Sequence, residues 1–195
     1  MTPTNKSRIQ IATAPVVTPI SVSEFKLFAR IDHDDEDAAL SLMIEAVTDA
    51  AEQYLGRALI EQSITYTLDE WPGREVELPY PPLISVTGIF LRGSDGTFPV
   101  TPYAASNYFV VTEGIPGSIV LRTGATAPTN ADVEAAGYQI RYKAGYGDEA
   151  TDVPAAIRQA LLVWTNNAYE NRVVTVEPPV EVRSALSLYR VERLK

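Results

Sequence analysis

Residues 142–172 read YKAGYGDEATDVPAAIRQALLVWTNNAYENR, and this stretch joins two kinds of structure in one run. Its first residues close an alternating, aromatic-rich segment that reads as a strand, and Gly145 and Gly147 then read as turn residues. A helix is expected from Asp152, its N-cap, with Pro154 in the first turn where a missing N–H costs nothing. Ile157, Ala160, Leu161, Trp164 and Ala168 recur at helical spacing and predict a buried stripe.

A second stripe lies far upstream. Leu40, Met43, Ile44, Val47, Ala51, Tyr54 and Leu55 share one face of a helix expected to run from Asp35 to Gly56, whose glycine supplies the C′ stop. Before it, Ser21 with Glu24 forms a capping box, and Ile20 with Phe25 a hydrophobic staple, for a short helix ending near Arg30. The two long helices bury their stripes most simply against each other, with a core of Leu40, Ile44, Val47, Tyr54, Ile157, Leu161 and Trp164.

Between them, SITYTL, EVEL, ISVTGIFLR, NYFVV, SIVLR and YQIRY are short β-branched and aromatic runs divided by turns such as GSDG and GIPG. Six or seven strands are expected in a small antiparallel sandwich or barrel-like sheet, with LPYPPLISV at an exposed edge or in a crossing loop. The fold class is therefore α+β: a helical bundle from residues 21–61 and 150–172, with an inserted β domain at 62–149. Residues 1–20 read as an extended arm. The prolines at 178 and 179 break the last long helix, and about two helical turns are expected from Val180 to Leu188 within a C-terminal segment at 173–195.

The chain of 195 residues is 46% hydrophobic and 21% charged, which suits a packed globular protein. It has no cysteine, so neither disulfides nor a thiolate nucleophile is available. No run approaches the roughly 20 apolar residues of a membrane span, and no leader pattern opens the chain, so retention in the cytoplasm or in a larger particle is expected. Net charge is −9, which argues against gripping nucleic acid through its phosphates. Residues 154–195 carry six basic against four acidic side chains (+2) and form the one basic region.

Candidate chemistry is sparse. Asp32-His33-Asp34-Asp35-Glu36-Asp37 suggests a metal site, but a calcium loop starting at Asp32 needs glycine at its sixth position and glutamate at its twelfth, where Asp37 and Met43 stand. An acidic cap on the following helix accounts for the cluster more simply. Asp148 with Asp152, or Glu75 with Glu77, would be carboxylate pairs for glycoside hydrolysis, but such pairs are common in acidic chains. GYGDEA lacks the spacing and lysine of a phosphate loop. Tyr138, Tyr142 and Tyr146, at every-fourth spacing, are expected on one sheet face if the strand continues unbroken. No enzyme activity, cofactor or bound metal is expected.

Four blocks carry a resemblance: SVSEFKLFARIDHDDEDAALSLMIEAVTDAAEQYLGRALI, LPYPPLISVTGIFLRGSDG, residues 142–172, and ALSLYRVERL. In this order, over a little more than half the chain, they resemble the head-tail connector, or adaptor, proteins of long-tailed bacteriophages and gene transfer agents. The arm and residues 93–136 show no family pattern. The resemblance implies a structural neck protein in a virion or gene transfer agent particle, assembled in the bacterial host cytoplasm. It implies a ring of twelve copies beneath the portal protein that extends the channel for double-stranded DNA without binding it specifically. It further implies a stopper or head-completion partner below and a C-terminal segment docked on the portal.

The docking residues would be Leu186, Leu188, Tyr189, Arg190, Val191, Arg193 and Leu194, and removal of residues 180–195 is expected to spare the fold. An acidic lining keeps DNA sliding, and Asp34, Asp35, Glu36 and Asp37 are the expected channel-facing residues. Alternative readings are another neck or tail component, such as a stopper or tail terminator, or a β-rich carbohydrate-binding module.

Overall fold

The computed structural model describes residues 6–99, 101–129 and 134–191. Within these the chain is α+β, with four α-helices and two antiparallel sheets, as the sequence pattern predicts. It divides into two compact units. One holds the chain through Ala14 with Gln62–Gly145, and the other holds Pro15–Glu61 with the chain from Tyr146 onward.

The first unit carries the strands. A four-stranded sheet has the order β1-β2-β7-β4, formed by Ser7–Thr13, Gln62–Leu68, Tyr138–Ala144 and Leu83–Leu91. A three-stranded sheet has the order β3-β6-β5, formed by Glu75–Glu77, Ser118–Leu121 and Tyr108–Val111. The proline-led β4 is an edge strand, as its sequence suggests. In the larger sheet Ile64, Tyr142 and Ile140 are nearly fully buried on one face. Tyr142 keeps its polar end satisfied there by donating its hydroxyl to the Pro79 carbonyl at 2.6 Å.

Residues 7–13 correct the reading of the N-terminus as an arm. Their alternation, with Ile9 and Ile11 opposite Tyr66 and Ile64 in register, makes them a strand of the larger sheet. Nothing in the local pattern announces the partner, because β2 lies about 50 residues further along. Tyr146 also departs from expectation. β7 ends at Ala144 and Gly145 turns with φ 136°, so Tyr146 leaves the sheet and packs with the helices.

The second unit is a bundle of α1 (Val22–Ala29), α2 (Asp37–Leu55), α3 (Ala155–Asn171) and α4 (Val180–Ser187). The capping box forms as the sequence dictates: Ser21 Oγ accepts from the Glu24 N–H, and Glu24 accepts from the Ser21 N–H at 2.8 Å. Ile20 and Phe25 are both buried in the bundle core. Leu40, Ile44, Val47, Ile157, Leu161 and Trp164 are at most 1% exposed, whereas Tyr54 lies at the margin, packed against this core. Burying each such aliphatic side chain contributes about 1.5–3 kcal/mol. Gly56 ends α2 in the left-handed conformation at φ 65°.

Two helix starts differ from expectation. α2 begins at Asp37 rather than Asp35. Asp152 caps no α-helix: residues Ala150–Asp152 form a 3-10 turn, and the Asp152 carboxylate accepts from the Glu149 N–H at 3.1 Å. Pro154 therefore takes the N-cap place of α3. An Asp pointing back into its own turn cannot also serve the N–H groups ahead of it.

Candidate assembly surface

Two features of the helical unit present charged and apolar groups outward, the acidic loop and the C-terminal segment. The loop does not cap α2, since Glu36 stands at the N-cap with no side-chain hydrogen bond to the helix. Its carboxylates instead tie the loop to neighbouring helices. Lys26 of α1 donates to Asp34 and, at 2.8 Å, to Asp37. Tyr169 of α3 donates its hydroxyl to Glu36 at 2.6 Å, and Arg172 approaches the same carboxylate at 3.6 Å.

These bonds stabilise the ionised carboxylates. The Asp34 carboxyl is held below its usual range by the Lys26 hydrogen bond and charge. The Glu36 carboxyl is held down first by the Tyr169 hydroxyl and further by the Arg172 charge. The same hydrogen bond to an anion pushes the Tyr169 phenol up. Phe25 meets the Tyr169 ring edge-on at 6.1 Å, so this residue links the loop to the core. Glu36 thus faces a protein partner, Asp37 is half-buried on Lys26, and Asp34 and Asp35 are left exposed. Among the described residues no three His, Asp or Glu side chains converge in a metal-binding group.

The C-terminal segment is folded onto the bundle. Val182 and Leu186, one helical turn apart on α4, are 3% and 0% exposed within the core shared with α2 and α3. Beyond α4, the Val191 N–H donates to the Leu55 carbonyl at 2.9 Å. Arg57, buried just past the end of α2, donates its Nε to the Tyr189 carbonyl and its Nη1 to the Tyr146 hydroxyl at 3.5 Å. The Arg190 guanidinium lies over the Tyr54 ring at 4.9 Å.

This arrangement corrects two expectations. Leu186 is a core residue of its own chain and is not presented to a partner. Removing residues 180–195 would strip Val182 and Leu186 from the core, so it cannot leave the fold untouched. Leu188, in contrast, is 84% exposed, and Arg190 is exposed beside it. Val173, Val176 and Val180 add exposed apolar surface on the approach to and start of α4. Arg193 and Leu194 lie outside the described residues.

Sequence reasoning missed Arg57, Tyr169, Arg172 and Lys26 as organisers. Each pairs with a group remote in the chain or on another helix, and no short motif marks them. Arg158 is similar: it links α3 to the start of α1 by donating to the Pro19 carbonyl at 3.1 Å and to Glu24.

A family model described as head completion protein matches residues 18–177. The chain belongs to the head completion protein family. The matched span runs from the entry to α1 past the end of α3 and takes in every described strand except β1, so the family pattern includes most of both units. No curated protein matches. Solved structures do, at 26% identity over 96% of this chain and 97% of the matched chain in each case. One is the neck of an empty gene transfer agent (GTA) particle computed with C6 symmetry, at TM-score 0.80. Others are the virion of a native GTA particle, at 0.79, and the neck of a native GTA particle computed with C12 symmetry, at 0.77.

Proposed function

We propose that this head completion family member is the head-tail adaptor of a phage-like particle: a structural ring in the neck between the portal and a stopper or head-completion protein. The observation that carries this reading is the likeness to chains in GTA necks over 96% of the sequence, together with family membership across residues 18–177. A ring of twelve copies is supported by the C12 symmetry of one such neck, and the C6 symmetry of another is compatible because six divides twelve. The role is mechanical. Binding energy is spread over interfaces, and no bond-making step is assigned.

The portal-facing surface is the outer side of α4 and the residues after it, with Leu188 and Arg190 as anchors and Tyr189 and Val191 half-buried beside them; Arg193 and Leu194, next in the sequence, belong to the same proposed docking set. Large apolar and arginine side chains dominate interface energy when a partner covers them. Val182 and Leu186 hold this surface in place from beneath. A net charge of −9, with Asp34 and Asp35 exposed, suits a rim past which DNA slides, since carboxylates repel phosphates and release no counterions.

The test is capture by the portal protein of the particle that carries this chain. The substitutions Leu188→Asp and Arg190→Glu should abolish co-sedimentation with the portal while costing no more stability than the lost Arg190–Tyr54 contact, about 0.5–1 kcal/mol. Wild-type levels of capture by the double variant would overturn the docking surface. Failure of the unaltered chain to appear in purified necks would overturn the adaptor reading itself.

A further inference from the structure

An edge strand offers a row of unpaired N–H and C=O groups, and proteins guard such edges with charge, proline, bulges, brevity or cover. The β4 edge is guarded twice. The Tyr103 N–H donates to the Ile89 carbonyl at 2.7 Å, and a Cβ on Gly88 would lie 2.9 Å from Pro102, so this segment covers the strand. Its register is also broken between Leu83 and Ser85 and between Val86 and Gly88. The β3 edge is three residues long and shows Glu75 and Glu77 to solvent.

Among the described residues the β1 edge is only lightly protected. It runs seven residues without proline or glycine, its register against β2 shifts once, between Ile11 and Thr13, and its one charge, Arg8, is paired with Asp69 at 2.9 Å. Ile9 is half-buried and every other residue of the strand is exposed. Ile11 faces the same side as the buried Ile64 and Tyr142, yet is 53% exposed, so the cover over this sheet face stops short of β1. The β5 edge is shorter but apolar and uncharged, with Phe109 49% and Val110 38% exposed, and Ile115 62% exposed in the turn that follows. Arg122 lies over one face of the Phe109 ring, which is still half open.

Cyclic rings of more than two copies join through two different patches, one on each side of the subunit. Pairing of β1 with another β1 is self-complementary and would stop at a dimer. We infer that neighbouring copies join edge to edge, β1 of one copy lying against β5 of the next, so that each junction extends a sheet across the boundary and covers Ile11, Phe109 and Val110. This rests on the ring reading above. The occupant of each edge is a second copy of this chain, because the described residues supply one long, lightly guarded edge in the larger sheet and one apolar edge in the smaller, and a closed ring uses each once.

The chain has no native cysteine, so introduced thiols are the only ones present. Necks assembled with the Ile11→Cys/Val110→Cys double variant and treated with a short bis-maleimide should give a ladder of linked copies on a denaturing gel. Each single variant should stay as one copy. A double variant that assembles but stays unlinked overturns the junction, as does linkage by Ile11→Cys alone, which marks self-pairing. As a second arm, Ile11→Lys should keep the wild-type thermal midpoint but lose ring assembly, and rings at wild-type yield would overturn the inference. Absence of the unaltered chain from necks counts against the adaptor reading, and is told apart from junction failure by that control.

Discussion

Leu186→Ala tests whether the C-terminal helix is part of the folded core or an appendage resting on it. Leu186 is 0% exposed, on the same face of α4 as Val182, against a core that includes Leu55, Ile157 and Trp164. Truncating a fully buried leucine removes its transfer energy and leaves a cavity, together costing about 2–5 kcal/mol. At about 2–4 °C per kcal/mol for a chain of this size, a 3 kcal/mol loss lowers the thermal midpoint by roughly 6–12 °C. Leu188→Ala, two residues on but 84% exposed, should stay within about 0.5 kcal/mol. Scanning calorimetry of both variants beside the unaltered chain measures the contrast. Hydrogen exchange should show protection lost in α4 and at Val191, whose N–H bonds Leu55. Equal midpoints for the two leucine variants would refute the claim that α4 is built into the bundle, and with it the division between anchoring and docking residues.

Glu52 is buried and its Oε1 accepts from the Leu59 N–H at 2.6 Å, so Glu52→Ala should cost about 1–3 kcal/mol in urea denaturation by orphaning that donor, and Glu52→Gln much less. Gly117→Ala places a Cβ 2.6 Å from the Leu83 Cβ, and should destabilise the strand unit by about 1–3 kcal/mol through overpacking, with the helical unit's exchange unchanged. Glu24, lowered first by the Ser21 backbone hydrogen bond, and Glu36, lowered first by the Tyr169 hydroxyl, bind protons less readily folded than unfolded. Their stabilisation is present above the unfolded glutamate value of about 4.3 and is lost as pH falls through the lower folded values, so stability should decline on acidification. Tyr169→Phe should flatten the Glu36 part of that decline in an acid titration followed by circular dichroism, and an unchanged acid limb would remove the assigned cause.

The bundle was legible in the sequence wherever local chemistry decides structure. The capping box at Ser21 and Glu24, the glycine stop at Gly56 and the apolar spacing of α2 and α3 act within a few residues, so the chain carries them openly. The ends of α1 and α3 fell where the sequence placed them, near Arg30 and Arg172, although these residues take the left-handed C-cap conformation, at φ 58° and 57°, without a glycine to announce it. The C-terminal segment was legible only in outline. Leu188 and Arg190 are exposed and Leu186 is buried, and the helical period alone did not separate them.

What the amino-acid order determined alone was therefore the α+β class, the helices with the stripes that α2 and α3 bury, and the resemblance to neck proteins of phage-like particles. Only the tertiary structure decided that residues 7–13 join a sheet, that Glu36 answers Tyr169 across 133 positions, and that Arg57 holds the Tyr189 carbonyl across 132. Periodicity and capping are written in neighbouring residues because a helix bonds to itself every few positions. Pairing between strands and between remote polar groups carries no such period, and is settled when the chain closes its loops and each buried donor must find an acceptor.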